Sequence, residues 1–519
     1  MISVSGRKWK KLKVNSKLVE KIQQDYNFSP ILSQLIVSRN FSENEIYSID
    51  NDLNLANKFQ NNSDFTRSVE LIEKSINKKE KICILGDYDV DGSAATSLLI
   101  IFLKNINHPH FHYIPDRVKD GYGATKKLFQ KLILKKPKLV VMLDCGSTST
   151  EAINYLNEHD IKSIIIDHHE ITKPYPKANM IINPKKDNGY IEYDYLCATS
   201  LTYFFLDILS KKIRCKIDIK KYLIYVLLAT VCDVMPLRKL NRLIAIKVLK
   251  EFDINKNHVF HELYKLSNKK NKINIEDLGF LIGPILNSGG RLGKSSYATE
   301  LLSSENLKVI NQKSIDLIHL NNQRKKIETL TLENIDFDKI EKKNKDFIIY
   351  YDQFMNEGLL GIIAARLKDY FNKPAIVITK SNNLLKGSAR SIYGYNIGKL
   401  IKKLLNQEII LNGGGHEMAA GFTLKKENFQ LFEKFIFKDF SKKKIYLDTS
   451  LRYEAEISSS AFNKDFFNDV KKIEPFGNGN PLPIFLFRDL KIVKSKIIKK
   501  KYISCLLKSK TDISINSIS

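Results

Sequence analysis

The stretch ICILGDYDVDG, residues 82–92, decides the reading of the fold. Residues 82–85 form a short apolar run of the kind that makes a buried strand. The run breaks into carboxylates at alternate positions, Asp87, Asp89 and Asp91, with Gly92 and the helix-like apolar SAATSLLIIFLKN immediately behind. So much negative charge at the end of a strand is costly to bury unless a cation neutralises it. Divalent metal is the simplest physical answer.

Two further apolar runs end the same way. LVVML closes on Asp144, before Cys145 and Gly146, and SIII closes on Asp167, His168 and His169. In an open α/β sheet the carboxyl ends of the strands line one crevice, so residues distant in sequence can meet there. Asp233 follows the apolar run YLIYVLLATVC, just before Met235-Pro236, and is a fourth candidate. Carboxylate oxygen and imidazole nitrogen without thiolate favour a hard or borderline cation, Mn²⁺ or Mg²⁺, and histidine tilts the choice toward manganese.

These motifs in this order resemble those of the DHH phosphoesterase superfamily, named for its Asp-His-His run. The DYDVDG form of the first motif, the later SAR and the GGGHEMAAGF segment resemble its single-strand-specific exonuclease branch. The likeness runs over roughly residues 60–490. It implies two metal ions held by Asp87, Asp89, Asp91, Asp144, His168 and Asp233, with Asp144 as the bridge. It further implies that Asp167 orients His168 and that His169 polarises the phosphate or reaches the second ion. Arg117 before the Gly121-Tyr122-Gly123 turn, Asn287 and Arg291 in GPILNSGGRLGKSS, Ser388 and Arg390 in KGSARS, and Gly414, Gly415 and His416 are the implied substrate contacts. Two positions depart from the family pattern: Ile285 stands where an arginine is usual, and Asn356 where a histidine is usual.

The rest of the chain fits that frame. At 519 residues it is long enough for several domains, and 43% hydrophobic residues mark it as globular. No uninterrupted apolar stretch is long enough to span a bilayer, and the start, MISVSGRKWKKLKV, lacks the apolar region of a signal peptide, so a soluble cytoplasmic protein is expected. The cysteines show no CxxC spacing and read as buried thiols in a reducing compartment. The net charge of +27 suits a polyanionic partner. A Lys-, Asn- and Ile-rich composition would also write that charge on any surface, so the metal motifs carry the case.

The expected architecture is two α/β lobes joined by a long helix, followed by a β module. Residues 1–60 form an N-terminal cap. Residues 61–298 alternate helix and apolar strand as a mainly parallel sheet does. Residues 299–345, with apolar positions near helical spacing, form the connecting helix. Residues 346–440 form a second α/β unit, whose successive glycines let backbone amides approach a phosphate. Residues 441–519 resemble the start of an OB-fold, a module that binds single strands with a basic groove and stacking aromatics, and the module looks clipped.

The resemblance implies a 5′ to 3′ exonuclease on single-stranded DNA serving recombination and repair, working as a monomer, with a helicase and a single-strand-binding protein as partners. Strand polarity and DNA over RNA are not written in the residues themselves. Rival readings are a phosphodiesterase of short oligonucleotides or cyclic dinucleotides, a manganese pyrophosphatase, and a single-strand-binding protein on an inactive scaffold. The last would have lost metal ligands, and here none is missing.

Overall fold

A computed structural model describes the chain except residues 1–7, 52–54, 117–119, 121–122, 188–189, 344–345, 443–449, 499–501, 511–512 and 519. Arg117, expected at the substrate, and Gly121 and Tyr122 of the turn after it lie outside the described residues.

The first lobe is a five-stranded, all-parallel sheet. In spatial order its strands are His110–Tyr113, Ile82–Gly86, Leu139–Leu143, Lys162–Ile166 and Met180–Ile182. The three central strands are buried almost throughout, which is why they read as continuous apolar runs rather than alternating ones. Helices cover both faces. Val90–Asn105 and Ala198–Lys212 belong to the larger core, and Lys126–Leu132 and Thr150–Glu158 to a smaller core on the other side. Gly92 has a local reason: a Cβ there would lie 2.6 Å from the backbone N and O of Asp87, so only glycine lets the first turn of the helix close onto the strand end.

Asp233 comes from different local structure. The run before it is the helix Leu223–Cys232, and Asp233 sits at that helix's C-terminal end.

The expected connecting helix is three pieces: Tyr297–Leu302, Leu307–Glu333 and Phe337–Lys343. The 27-residue central piece packs on the helix Gly283–Arg291 and on Leu360–Phe371 of the second lobe. Its Glu328 binds Arg324 on its own helix, at 2.8 Å, and Arg366 in the second lobe, also at 2.8 Å.

The second lobe is a mixed five-stranded sheet with its own core. Ile348–Tyr351 and Ala375–Ser381 are parallel, and Leu384–Arg390, Ala419–Lys425 and Asn412–Gly415 continue the sheet antiparallel. Asn356, at the position of the family's histidine, accepts from the Gly358 amide at 2.8 Å and caps the turn Glu357–Leu359. Ile285, at the position of the family's arginine, is buried in the larger core of the first lobe.

The chain ends join. Trp9–Lys11 pairs in parallel with Leu451–Tyr453, and Ile22, Leu32, Leu35, Ile36 and Phe41 share a core with Ile473. Where a cap on the first domain is expected, the N-terminal segment thus has two partners. It also meets the first lobe, through Glu45, whose carboxylate takes Arg238 at 2.7 Å and the Lys239 amide at 2.8 Å. Beyond this joint the chain forms a three-stranded antiparallel sheet, Lys491–Ile498, Tyr502–Lys508 and Ser514–Ile518, within the region expected to be OB-like.

Candidate metal centre

The strand ends and the end of the helix Leu223–Cys232 bring the expected ligands together. Ligand atoms of Asp87, Asp89 and Asp144 lie within 4.8 Å of one another, as do those of Asp91, His168 and Asp233, and those of Asp144, His168 and His169. His168 Nε2 stands 3.3 Å from Asp144 Oδ1, 3.4 Å from Asp233 Oδ2 and 3.6 Å from Asp91 Oδ2. Asp144 therefore belongs to two of the three groups, and its Oδ1 also approaches the His168 ring that completes the other. It adopts φ +61, a left-handed conformation that turns the chain sharply out of the strand.

The candidate ligands Asp89 and Asp91 are seated by different local devices. Asp89 caps the helix behind it, accepting from the Gly92 amide at 3.0 Å. Both oxygens of Asp91 are held at the start of the helix Ala198–Lys212, by the amides of Ala198 at 2.7 Å and Thr199 at 2.8 Å. The positive end of that helix favours the charged carboxylate. The CATS segment, which sequence reasoning passed over, is thus the seat of a candidate ligand, through backbone amides.

Asp167 corrects an expectation. Its carboxylate pairs with the ring of His169, 2.8 Å from Nδ1, and not with that of His168. It also takes the amides of Ser147 at 3.1 Å and His168 at 2.8 Å. The His169 amide also donates to Asp167 Oδ1, at 3.2 Å, so the chain turns around the Asp167 carboxylate as it leaves the strand and brings the His169 ring onto it. Asn183, also missed, is fully buried and donates to the His169 carbonyl at 2.9 Å and to Ser147 Oγ at 2.8 Å.

The electrostatics separate these roles. Burial, then the charges of Asp91, Asp89, Asp87 and Asp233, push Asp144 well above the usual carboxylate range. Burial, then Asp91 and Asp89, do the same to Asp233, and burial and Asp91 raise Asp89. Burial and the neighbouring His169 hold His168 down at about 4, so its ring is neutral near pH 7, as a ligand must be. Burial also works against charge on Asp167 and His169, but their mutual attraction outweighs it: Asp167 is held below the usual range and His169 is carried up to about 10.

A divalent cation fits this constellation. Among the described residues, Asp144 Oδ1 and both ring nitrogens of His168 are buried without a hydrogen-bond partner. Unsatisfied groups are rare in protein interiors and call for an ion or another specific reason. Crowded carboxylates that resist ionisation are what a bound cation would relieve.

The second lobe closes over the centre. The ring of His416 stacks on that of His169 at 5.8 Å between centroids and 26° between planes. Gly414 has no atom within 4 Å of where a Cβ would be, so its backbone faces open space. Arg390 ends the strand Leu384–Arg390, two strands away in the same sheet, its Nη1 3.3 Å from Ser388 Oγ and 2.9 Å from the Ala389 carbonyl. Arg291 bridges the lobes instead of standing alone at the cleft: its Nη1 donates to the Gly358 carbonyl at 3.1 Å, and a Cβ on Gly358 would fall 2.2 Å from the Arg291 carbonyl oxygen. Asn287 is on the same helix, Gly283–Arg291. That helix packs so tightly on the DYD loop that a Cβ on Gly290 would be 2.8 Å from the Tyr88 carbonyl oxygen.

Three family models match successive parts of the chain. Residues 81–230 match the model of the DHH family, N-terminal domain, residues 344–442 the DHHA1 domain, and residues 453–519 the RecJ OB domain. The chain is 29% identical over 470 residues to the single-stranded-DNA-specific exonuclease RecJ of Haemophilus influenzae, covering 86% of this chain and 81% of that protein. It is 29% identical over 431 residues to the protein of the same name from Bacillus subtilis, covering 82% of this chain and 54% of that one. Its fold matches the crystal structure of RecJ in complex with Mn²⁺ from Thermus thermophilus with a TM-score of 0.83 at 20% identity, over 98% of this chain and 74% of that one.

Proposed function

The chain belongs to the DHH phosphoesterase superfamily and carries the domains of RecJ in order, and on that premise we propose that it is a metal-dependent exonuclease of single-stranded DNA. The observation that carries the reading is the set of three ligand groups linked through Asp144 and His168, with His416 of the second lobe stacked on His169 beside them. Mn²⁺ or Mg²⁺ is the cofactor, as in the Thermus thermophilus structures.

Asp87, Asp89 and Asp144 would hold one ion, and Asp91, His168 and Asp233 a second. Ions so placed supply activation of water and neutralisation of the scissile phosphate and its leaving oxygen. The chain's own groups do the rest. His169, kept cationic and oriented by Asp167, turns its ring toward the cleft and donates to the phosphate. Ser388, Arg390 and the amides around Gly414 and Gly415 grip the phosphates of the strand from the facing lobe, and His416 closes the space between the lobes. Arg291 holds the two lobes at the separation that admits one strand.

Degradation runs 5′ to 3′ and serves recombination and repair, with a helicase and a single-strand-binding protein as working partners. Among the described residues no helix is long and apolar enough to cross a membrane. The test of polarity uses two oligonucleotides, one labelled at each end. Early release of the 5′ label as mononucleotide supports the reading, and early release of the 3′ label excludes it.

A further inference from the structure

Resting on the reading of Asp233 as a metal ligand, we infer that Asn478, in the C-terminal segment, is a positioning residue for that ligand. The helix Leu223–Cys232 ends in a closed turn, with Asp233 N donating to the Ala229 carbonyl at 2.9 Å, Val234 N to Val231 at 3.2 Å and Met235 N to Thr230 at 2.9 Å. The bond from Met235 back to Thr230 makes Val234 the residue that turns the chain out of the helix, a place usually given to glycine or asparagine. Val234 holds φ +56. A β-branched residue there is a true outlier, and such strain persists only where surrounding contacts over-determine it. The Val234 side chain cannot supply those contacts, because it is 65% exposed.

They come from the loop at residues 475–480. The Asn478 side-chain amide donates to the Val234 carbonyl, and the Asn478 carbonyl accepts from the Leu237 amide at 2.7 Å. One residue thus ties both ends of the turn that follows Asp233. Two glycines let it come so close. A Cβ on Gly477 would lie 2.6 Å from Leu237 Cδ1, and Gly479, at φ +75, would place one 2.9 Å from Pro236 Cβ. The loop is itself rigid: Gly477 and Asn480 exchange backbone hydrogen bonds at 2.9 and 3.1 Å, and the buried Asn480 amide donates to the Ile473 and Pro475 carbonyls at 2.7 and 2.8 Å. Asp233, the residue before the clamped one, points its Oδ2 to within 3.4 Å of His168 Nε2. A clamp on Val234 therefore sets the direction of a ligand, and outer groups of this kind tune metal affinity by roughly 10–100-fold.

The test is Mn²⁺ binding to the full chain without DNA, by titration calorimetry, beside the metal-free melting temperature. Asn478 is exposed, so Asn478→Ala leaves the core intact. The expected result is a roughly tenfold or greater loss of affinity at one site, with parent affinity restored in Val234→Gly/Asn478→Ala, because glycine needs no clamp at positive φ. The double variant also keeps the test readable should Asn478→Ala alone misfold. Asp233→Ala is the control. If it loses a site while Asn478→Ala binds as the parent does, the inference is overturned and the ligand assignment stands. If Asp233→Ala binds as the parent does, the assignment itself is overturned. A lower metal-free melting temperature with unchanged Mn²⁺ affinity, or an equal deficit in single and double variants, reduces Asn478 to a brace and also overturns the inference.

Discussion

The rings of His169 and His416 stand 5.8 Å apart and nearly parallel, one from each lobe, so the strand-end site of the first lobe and the glycine-rich loop of the second form one cleft. A phosphate entering it meets both. His416→Ala and Arg390→Ala should each remove a charge-assisted contact worth roughly 1.5–3 kcal/mol, read in KM, kcat or both. If both variants match the parent on oligonucleotides of every length, the second lobe does not grip the substrate.

Asp144 belongs to two of the three ligand groups and Asp233 to one, so alanine at either position should abolish hydrolysis. Single-strand binding should survive in both variants, since phosphate contacts elsewhere hold the strand. The checks are turnover with Mn²⁺ supplied and strand affinity by anisotropy. Near-normal turnover in either variant contradicts the ligand assignment.

The joint between the N-terminal segment and the first lobe should weaken in acid. Burial alone would raise Glu45, but Arg238 and the Ser42 and Lys239 amides outweigh it and leave its pKa below the ordinary carboxylate value. A carboxylate depressed in the folded state contributes stability that is fully present above its unfolded pKa, about 4.5, and is lost as pH falls through the folded value. Glu45→Gln should therefore be less stable than the parent at pH 7, and the difference should shrink as pH falls below about 4.5 and through the folded pKa of Glu45. A constant difference in unfolding free energy across that range would speak against the ion pair.

Truncation should act in two steps. Ending the chain after Asp489 removes the exposed three-stranded sheet with Lys491, Lys494, Lys496 and Lys508. This should raise KM on long strands and flatten its salt dependence while sparing short oligonucleotides. Ending it after Ser450 also removes Ile473, Glu454 and the loop of Asn478, and with them part of the N-terminal core and the partner of Arg39. That chain should lose Mn²⁺ affinity as well as stability. Equal behaviour of the two truncations, by KM and by metal titration, would show that residues 451–489 contribute nothing to the centre.

Much of this site was legible because strand ends advertise themselves: packing alone rarely calls for an apolar run to stop on Asp or His, and Asp87, Asp144 and His168 follow that rule. Side-chain pairing within the Asp-His-His run was not legible, because it depends on how the chain leaves the strand, and the ring beside Asp167 belongs to His169. The seat of Asp91 on the amides of Ala198 and Thr199 joins residues far apart in sequence through backbone groups, which carry no residue-type signature. The parallel pairing of Trp9–Lys11 with Leu451–Tyr453 was hidden for a like reason: short mixed-polarity strands have no period of their own, and only the fold brings them together.

The most direct measurement is degradation of uniformly labelled single-stranded and duplex DNA of the same sequence, with Mn²⁺ and with chelator. The account predicts stepwise release of mononucleotides from the single strand with Mn²⁺, little from the duplex, and none from either with chelator. Undiminished degradation in chelator, or equal degradation of duplex and single strand, would contradict it.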